Sequence, residues 1–280
     1  MKHINMLIPS KYGKENNPLI QLALKYISYY LSASNGKGHG IHSPFVFNFI
    51  QKVLNDRRHY YAYDHVEQYR KYLLKDKTEV EVEDLGAGSV LSKSNTRTVA
   101  EICRNTSKSK KLGQLLFRCS EYFKPKTIVE LGTSLGVSTA YLAAGNPAGK
   151  VITCEGSKSV ADITMNNFQH MGLSNVEMRL GNFDDTLPQL LKEYDQLDMV
   201  FIDGNHREEP TVRYFEWFLP SMHEGSVMIF DDIHWSDGME TAWEKIKQHE
   251  QVTTTIDLFF IGLVFFSKDF KAKQHFTIRF

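Results

Sequence analysis

After residue 111 short apolar runs alternate with amphipathic stretches at regular intervals, and no other feature constrains the fold of this chain as strongly. The runs lie at 127–130, 151–155, 176–180, 199–203 and 227–231. Between them, apolar residues recur with helical spacing at 137–144, 160–171, 187–194, 211–219 and 239–249. Strands separated by helices of this length build βαβ units, so the sheet is parallel and covered on both faces. Two final runs, 252–258 and 261–266, have almost nothing between them, which permits only an antiparallel hairpin. The expected fold class is α/β: a doubly wound, mostly parallel seven-stranded sheet with a C-terminal antiparallel hairpin.

The first 110 residues have a different texture. Leu19, Ile20, Leu22, Ala23, Leu24, Ile27, Tyr30 and Leu31 recur at helical spacing behind Pro18, a residue favoured in a first turn. A glycine-rich segment from Asn35 to Gly40 ends that helix, a second covers 44–54, and a third covers 66–74. Residues 79–83 alternate glutamate with valine and read as an edge strand or a solvated connector. The organisation expected is a mostly helical N-terminal cap at 1–110 and an α/β domain at 111–280.

Composition narrows the classes of function. The 33 basic and 33 acidic residues cancel, so no overall field holds a polyanion, and a small partner is expected over nucleic acid. Cys103, Cys119 and Cys154 form no CxxC and cannot all pair, which points to reduced thiols, with Cys154 in the core. The most apolar stretch, 258–266, falls well short of the ~20 residues that span a bilayer. Residues 1–13 contain no apolar core of a signal peptide. No membrane association and a cytoplasmic location are expected.

Open parallel sheets bind ligands beyond the carboxyl ends of their strands. The first strand runs into Glu130, Leu131, Gly132, Thr133, Ser134, Leu135 and Gly136, and a helix follows at once. Glycines there allow a tight turn, and the helix N-terminus suits a small carboxylate or phosphate. A dinucleotide fingerprint requires glycine at its third and sixth positions, where this chain has Ser134 and Val137. Glu155 ends the second strand, 25 residues after Glu130, placed either for ribose hydroxyls or to cap the next helix. Gly181, Asn182 and Phe183 either bracket a flat ring or form a turn and a cap. Asp203 follows strand four, and Asp231 and Asp232 follow strand five. Their repulsion is relieved by Mg²⁺ or Ca²⁺, by a cofactor's sulfonium, or by capping of backbone N–H groups. His206 and His234 lie close by in sequence and suit metal ligation or proton transfer.

Taken in order, Glu130-Leu-Gly-Thr-Ser-Leu-Gly136, Glu155, Phe201-Ile-Asp-Gly-Asn-His206 and Asp231-Asp232 resemble the motifs of a class I S-adenosylmethionine-dependent methyltransferase. Gly113-Gln-Leu-Leu116 and Asp231-Asp-Ile-His-Trp235 narrow the resemblance to small-molecule O-methyltransferases of the catechol and caffeoyl-coenzyme A type, over residues 111–268. The resemblance implies a Rossmann-like fold and S-adenosylmethionine as cofactor. Gly132 and Gly136 would shape the methionine pocket together with Glu130, Thr133, Ser134, Ser138 and Asp203. Glu155 would bind the ribose, and Asn182 and Phe183 would lie by the adenine. It further implies Mg²⁺ or another divalent cation on Asp203, Asp231 and Asp232, and His206 with Asp203 as the catalytic pair. Two positions depart from the catechol type, which has asparagine where this chain has Asp232 and lysine where it has His206. A histidine base brings a different pH dependence, and a structural hydrogen bond is the other role for His206.

The expected reaction is methylation of an oxygen on a small molecule. An N-, protein- or RNA-directed methyltransferase, and a non-catalytic protein binding S-adenosylmethionine or a nucleotide, are the alternatives. Asp203-Gly-Asn-His206 is not the Asp/Asn-Pro-Pro-aromatic signature of base methylation. The final apolar residues, with Phe276 and Phe280, suggest pairing in a homodimer. Asp84-Leu-Gly-Ala-Gly-Ser89 mimics a glycine motif but lacks a following strand and acid. His39 and His42 belong to a lid or to a solvated turn. Arg104, Lys108, Lys110 and Lys111 read as a solvated basic loop, and Tyr60, Tyr61 and Tyr63 as interdomain packing.

Overall fold

The computed structural model describes residues 18–83, 96–269 and 272–280, so the run at 84–89 and the first 13 residues read above lie outside the described part. Helix α1 (Pro18–Ser32) is followed by α2 (Pro44–Phe49), which starts where the Ser43 side chain accepts the Val46 N–H and Pro44 fills the first turn. It runs on as a π-helical turn, Ile50–Leu54. Helix α3 (Tyr61–Leu73) begins five residues earlier than the periodicity from Val66 indicates, so Tyr61 and Tyr63 are helical. Tyr63 turns inward, with ring centroids 5.0 Å from Phe117 and 6.1 Å from Tyr141, in keeping with a packing role. The acidic stretch is a strand: β1 (Glu79–Glu81) pairs antiparallel with β2 (Thr96–Thr98) in a ribbon apart from the main sheet. A reciprocal Thr98–Glu101 capping box then opens α4 (Val99–Thr106), and Ser109 caps α5 (Lys110–Phe123).

The alternation follows as expected. In order come β3 (Thr127–Leu131), α6 (Val137–Gly145), β4 (Lys150–Glu155), α7 (Lys158–His170), β5 (Val176–Leu180) and α8 (Phe183–Glu193). Next are β6 (Leu197–Ile202), α9 (Glu208–Phe218), β7 (Met222–Asp231), α10 (Asp237–Gln248) and the hairpin β8 (Thr254–Asp257) and β9 (Ile261–Phe265). One strand was not anticipated: β10 (Gln274–Thr277) lies parallel along β8 and makes the sheet eight-stranded, in the order β10-β8-β9-β7-β6-β3-β4-β5. Phe276 thus pairs within the chain, and Phe280 lies under the Lys111 ammonium at 4.1 Å.

Successive strand residues face opposite cores, as a doubly covered sheet requires. Ile128, Val151, Phe201 and Ile229 pack with α2, α5 and α6; Val129, Ile152, Val200 and Phe230 pack with α8, α9 and α10. Val46, Phe49 and Ile50 bring α2 directly onto the sheet. Among the described residues no helix is long and apolar enough to cross a membrane.

Candidate active site

Strand β3 pairs with β4 on one side and β6 on the other, and the chain winds outward from it in both directions. The strand order therefore reverses between β3 and β6, and the crevice beyond their carboxyl ends is the place for a ligand. There the Asp203 N–H donates to the Leu131 carbonyl at 2.9 Å. Gly132 has φ 101°, and a Cβ placed on it would lie 2.2 Å from the Asp203 carbonyl oxygen. Gly136 has φ 73° and its Cβ would lie 2.3 Å from the Phe168 ring. A side chain is strained at both positions, and at Gly132 it would also strike backbone that cannot move aside.

Two acids brace this turn. Glu130 is fully buried; one carboxylate oxygen accepts from Thr139 and Thr153, and Oε1 has no partner among the described residues. Burial pushes its pKa up, against the hydroxyls of Ser138, Thr139 and Thr153. Ser138 is buried beside it and Thr133 bonds Thr153 at 2.6 Å. Glu155 accepts the Ser134 N–H at 2.8 Å and the Ser157 N–H at 2.9 Å, so it both holds the turn and serves the start of α7. From the opposite side Thr106 reaches the Ser134 hydroxyl at 2.7 Å. Enclosed by Thr106, Ser107, the 132–138 turn and Asp203 is about 10 Å³, room for about one water. A cleft of about 400 Å³ opens along the neighbouring rim, lined by Asn182, Asp184, Asn205, Arg207, Glu209, Pro210 and Arg213. Asn182 caps α8 by accepting the Asp184 N–H at 3.0 Å, and the Phe183 ring stands edge-on to Tyr214.

The charged centre lies next to the turn. Asp203, His206 and Asp231 each bring a ligand atom within 4.8 Å of the others, and His206 Nε2 is 3.5 Å from Asp203 Oδ1. Asp232, held at φ 53° with its N–H on the Phe260 carbonyl, is not one of the three. Lys108 does not lie in the solvated loop that its run of basic residues predicts. Its side chain is only 12% exposed, and its ammonium pairs with Asp203 Oδ1 at 2.9 Å and with Asp231 Oδ2. The physical reason is the shortness of the connection 107–109: Thr106 is tied to the turn and Ser109 caps α5, so the lysine between them stands on the rim. No local sequence signal separates Lys108 from the basic residues around it, since its partners are distant in the chain.

Burial disfavours the charged forms throughout this centre, and Lys108 opposes it for the acids. The Asp203 carboxyl rises well above its usual range through burial and the Asp231 charge. Asp231 is buried as well but falls below it, because Lys108 and His206 outweigh the burial. Asp232 is pushed up to about 7 by burial and by Asp231. The Lys108 ammonium is held above its ordinary value by Asp203 and Asp231 in spite of burial. Burial lowers the His206 imidazole, against the charge of Asp231, and so favours the form that can accept a proton. His234, by contrast, is not at this centre: it lies between Glu240 at 3.0 Å and Asp257 at 2.8 Å, stacked on Phe259. His39 and His42 are exposed, the solvated alternative.

Residues 129–233 match the family described as a methyltransferase domain. The chain is 35% identical over 124 residues to the catechol O-methyltransferase of Niastella koreensis and 32% over 123 residues to that of Mycobacterium tuberculosis. Each match takes in 43% of this chain and 55% or 54% of the relative, so the chain spans about half the length of the curated relatives it matches. Among solved structures, an O-methyltransferase from Bacillus cereus in complex with SAH superposes with a TM-score of 0.54 at 24% identity, over 79% of this chain and 97% of the other. The SAH-bound methyltransferase of Podospora anserina gives 0.57 at 12% identity, over 95% and 100%.

Proposed function

We infer that this chain, whose residues 129–233 match a methyltransferase domain and which is similar to catechol O-methyltransferases, transfers a methyl group from S-adenosylmethionine to an oxygen of a small molecule. The observation that carries this reading is the Gly132–Gly136 turn at the reversal of strand order, with Glu155 holding the Ser134 N–H and the Asp203 carbonyl against Gly132.

The donor set suits S-adenosylmethionine. Glu130 Oε1 is a buried acceptor without a donor, which an ammonium group satisfies. Each Glu155 oxygen that accepts an N–H keeps a lone pair for a ribose hydroxyl. The open cleft beside Asn182 and the ring of Phe183 offer the adenine a side to enter. When bound, the cofactor supplies an electrophilic methyl group on a sulfonium. The rest is done by the chain: the 132–136 turn fixes the donor's position, the buried rim excludes water, and His206 takes the acceptor's proton. On this reading the acceptor oxygen sits beside His206 and Lys108, which both approach Asp203 Oδ1.

Calorimetric titration with S-adenosylmethionine and S-adenosylhomocysteine tests the pocket. Micromolar binding, about −8 kcal/mol, is expected for the wild type and its loss for Glu155→Ala. Transfer of labelled methyl to a panel of phenols then tests the reaction, with His206→Ala binding the cofactor but not turning over. No binding by the wild type refutes the reading; binding without turnover on any acceptor makes the chain a non-catalytic binder.

A further inference from the structure

Asp203, His206 and Asp231 make a set of ligand atoms close enough to share one cation, and a cation is already among them. We propose that Lys108 permanently occupies the place of a divalent ion, so that the acceptor oxygen meets a lysine ammonium and the chain works without a metal.

The geometry excludes both occupants at once. Mg²⁺ binds oxygen ligands at ~2.0–2.1 Å, so an ion bridging Asp203 and Asp231 would lie where Lys108 Nζ sits, itself 2.9 Å from Asp203. Two cations in that space repel one another strongly at low dielectric. The backbone that carries the lysine is held on both sides. Thr106, two residues before it, is bonded to Ser134, and Ser109, the residue after it, accepts the Leu112 N–H at the start of α5. Nor is the remaining donor set one that a hard ion prefers, since it is two carboxylates and an imidazole rather than a shell of oxygens. An ammonium has three N–H donors in a compact charge. Two are spent on Asp203 and Asp231, and the third is there for an acceptor oxygen. The role given to the acceptor rests on the function proposed above; the exclusion of the metal does not.

The test is Mn²⁺ binding, followed by electron paramagnetic resonance of the free ion, on wild type, Lys108→Met, Lys108→Gln and Lys108→Arg. Wild type and Lys108→Arg are expected to bind Mn²⁺ at least about tenfold more weakly than the two neutral variants. Adding Asp231→Asn to a neutral variant is expected to remove the gain. The glutamine variant serves if the methionine variant does not fold, as judged by circular dichroism. Mn²⁺ binding by the wild type as tight as by Lys108→Gln overturns the proposal, as does the absence of any gain in folded neutral variants. S-adenosylhomocysteine titration of the same samples keeps the two readings apart: its failure refutes the methyltransferase pocket and leaves the Mn²⁺ result standing.

Discussion

Replacing Gly132 with alanine tests whether the glycine turn and the end of β6 are one rigid unit. Two costs add. The backbone at φ 101° is one that L residues rarely adopt, about 1–2 kcal/mol for a side chain in the left-handed region. The new Cβ would also stand 2.2 Å from a backbone oxygen of Asp203, which cannot rotate away, so β6 or the turn must shift at the ~1–3 kcal/mol of an overpacked site. The sum is about 2–5 kcal/mol. A chain of 280 residues unfolds with an entropy of about 0.6 kcal/mol/K, so Tm falls by about 3–8 °C. Gly172 provides the control: its φ is 70°, but nothing lies within 4 Å of its Cβ, so Gly172→Ala carries only the backbone cost, about 2–3 °C. Scanning calorimetry on the two variants isolates the clash. Equal shifts for both would refute the claim that Gly132 is set by the close approach of Asp203. The same variant moves Asp203 and so is expected to weaken S-adenosylhomocysteine binding, which Gly172→Ala leaves intact.

Other outcomes follow from the buried charges and thiols. Lys108→Met leaves Asp203 and Asp231 without their counter-ion, a loss of about 3–5 kcal/mol in urea unfolding at neutral pH; a loss under ~1 kcal/mol would mean that the pair is solvated. His234 loses basicity to burial but gains more from Asp257 and Glu240, so its pKa is raised on folding. A raised histidine stabilises the fold below the unfolded value near ~6.5, and the stabilisation is lost as pH rises through the folded value. The urea midpoint of the wild type is thus expected to fall as pH rises above about 6.5, and that of His234→Gln to fall less; parallel profiles would contradict this assignment. Burial pushes the Cys119 and Cys154 thiols up to about 12, and all three cysteines are buried and free. A disulfide-exchange reagent is expected to label none of them in the native protein and all three in denaturant; rapid native labelling would show that the core opens.

The sheet was legible because its signal is local. Ile128 and Val129, or Val200 and Phe201, must bury both faces of a parallel strand, and that requirement is written as consecutive apolar residues. Strand β10 was not legible, because Gln274–Thr277 covers an edge and carries only a short, half-exposed alternation. The site divides along the same line. Gly132, Gly136 and Glu155 stand at fixed offsets from strands, so order alone brings them to one rim. His234 stands at such an offset too, three residues past Asp231, and still leaves the site, because Asp257 on the hairpin and Glu240 on α10 offer it two carboxylates. Lys108 shows the reverse case. Its partners lie 95 and 123 positions downstream, and nothing near it in sequence marks it as more than one of four basic residues. The residue that decides the charge of the centre is therefore the one whose role depends wholly on tertiary placement, and the sequence pattern of three aspartates, taken without it, leaves a metal, a sulfonium and helix capping all open.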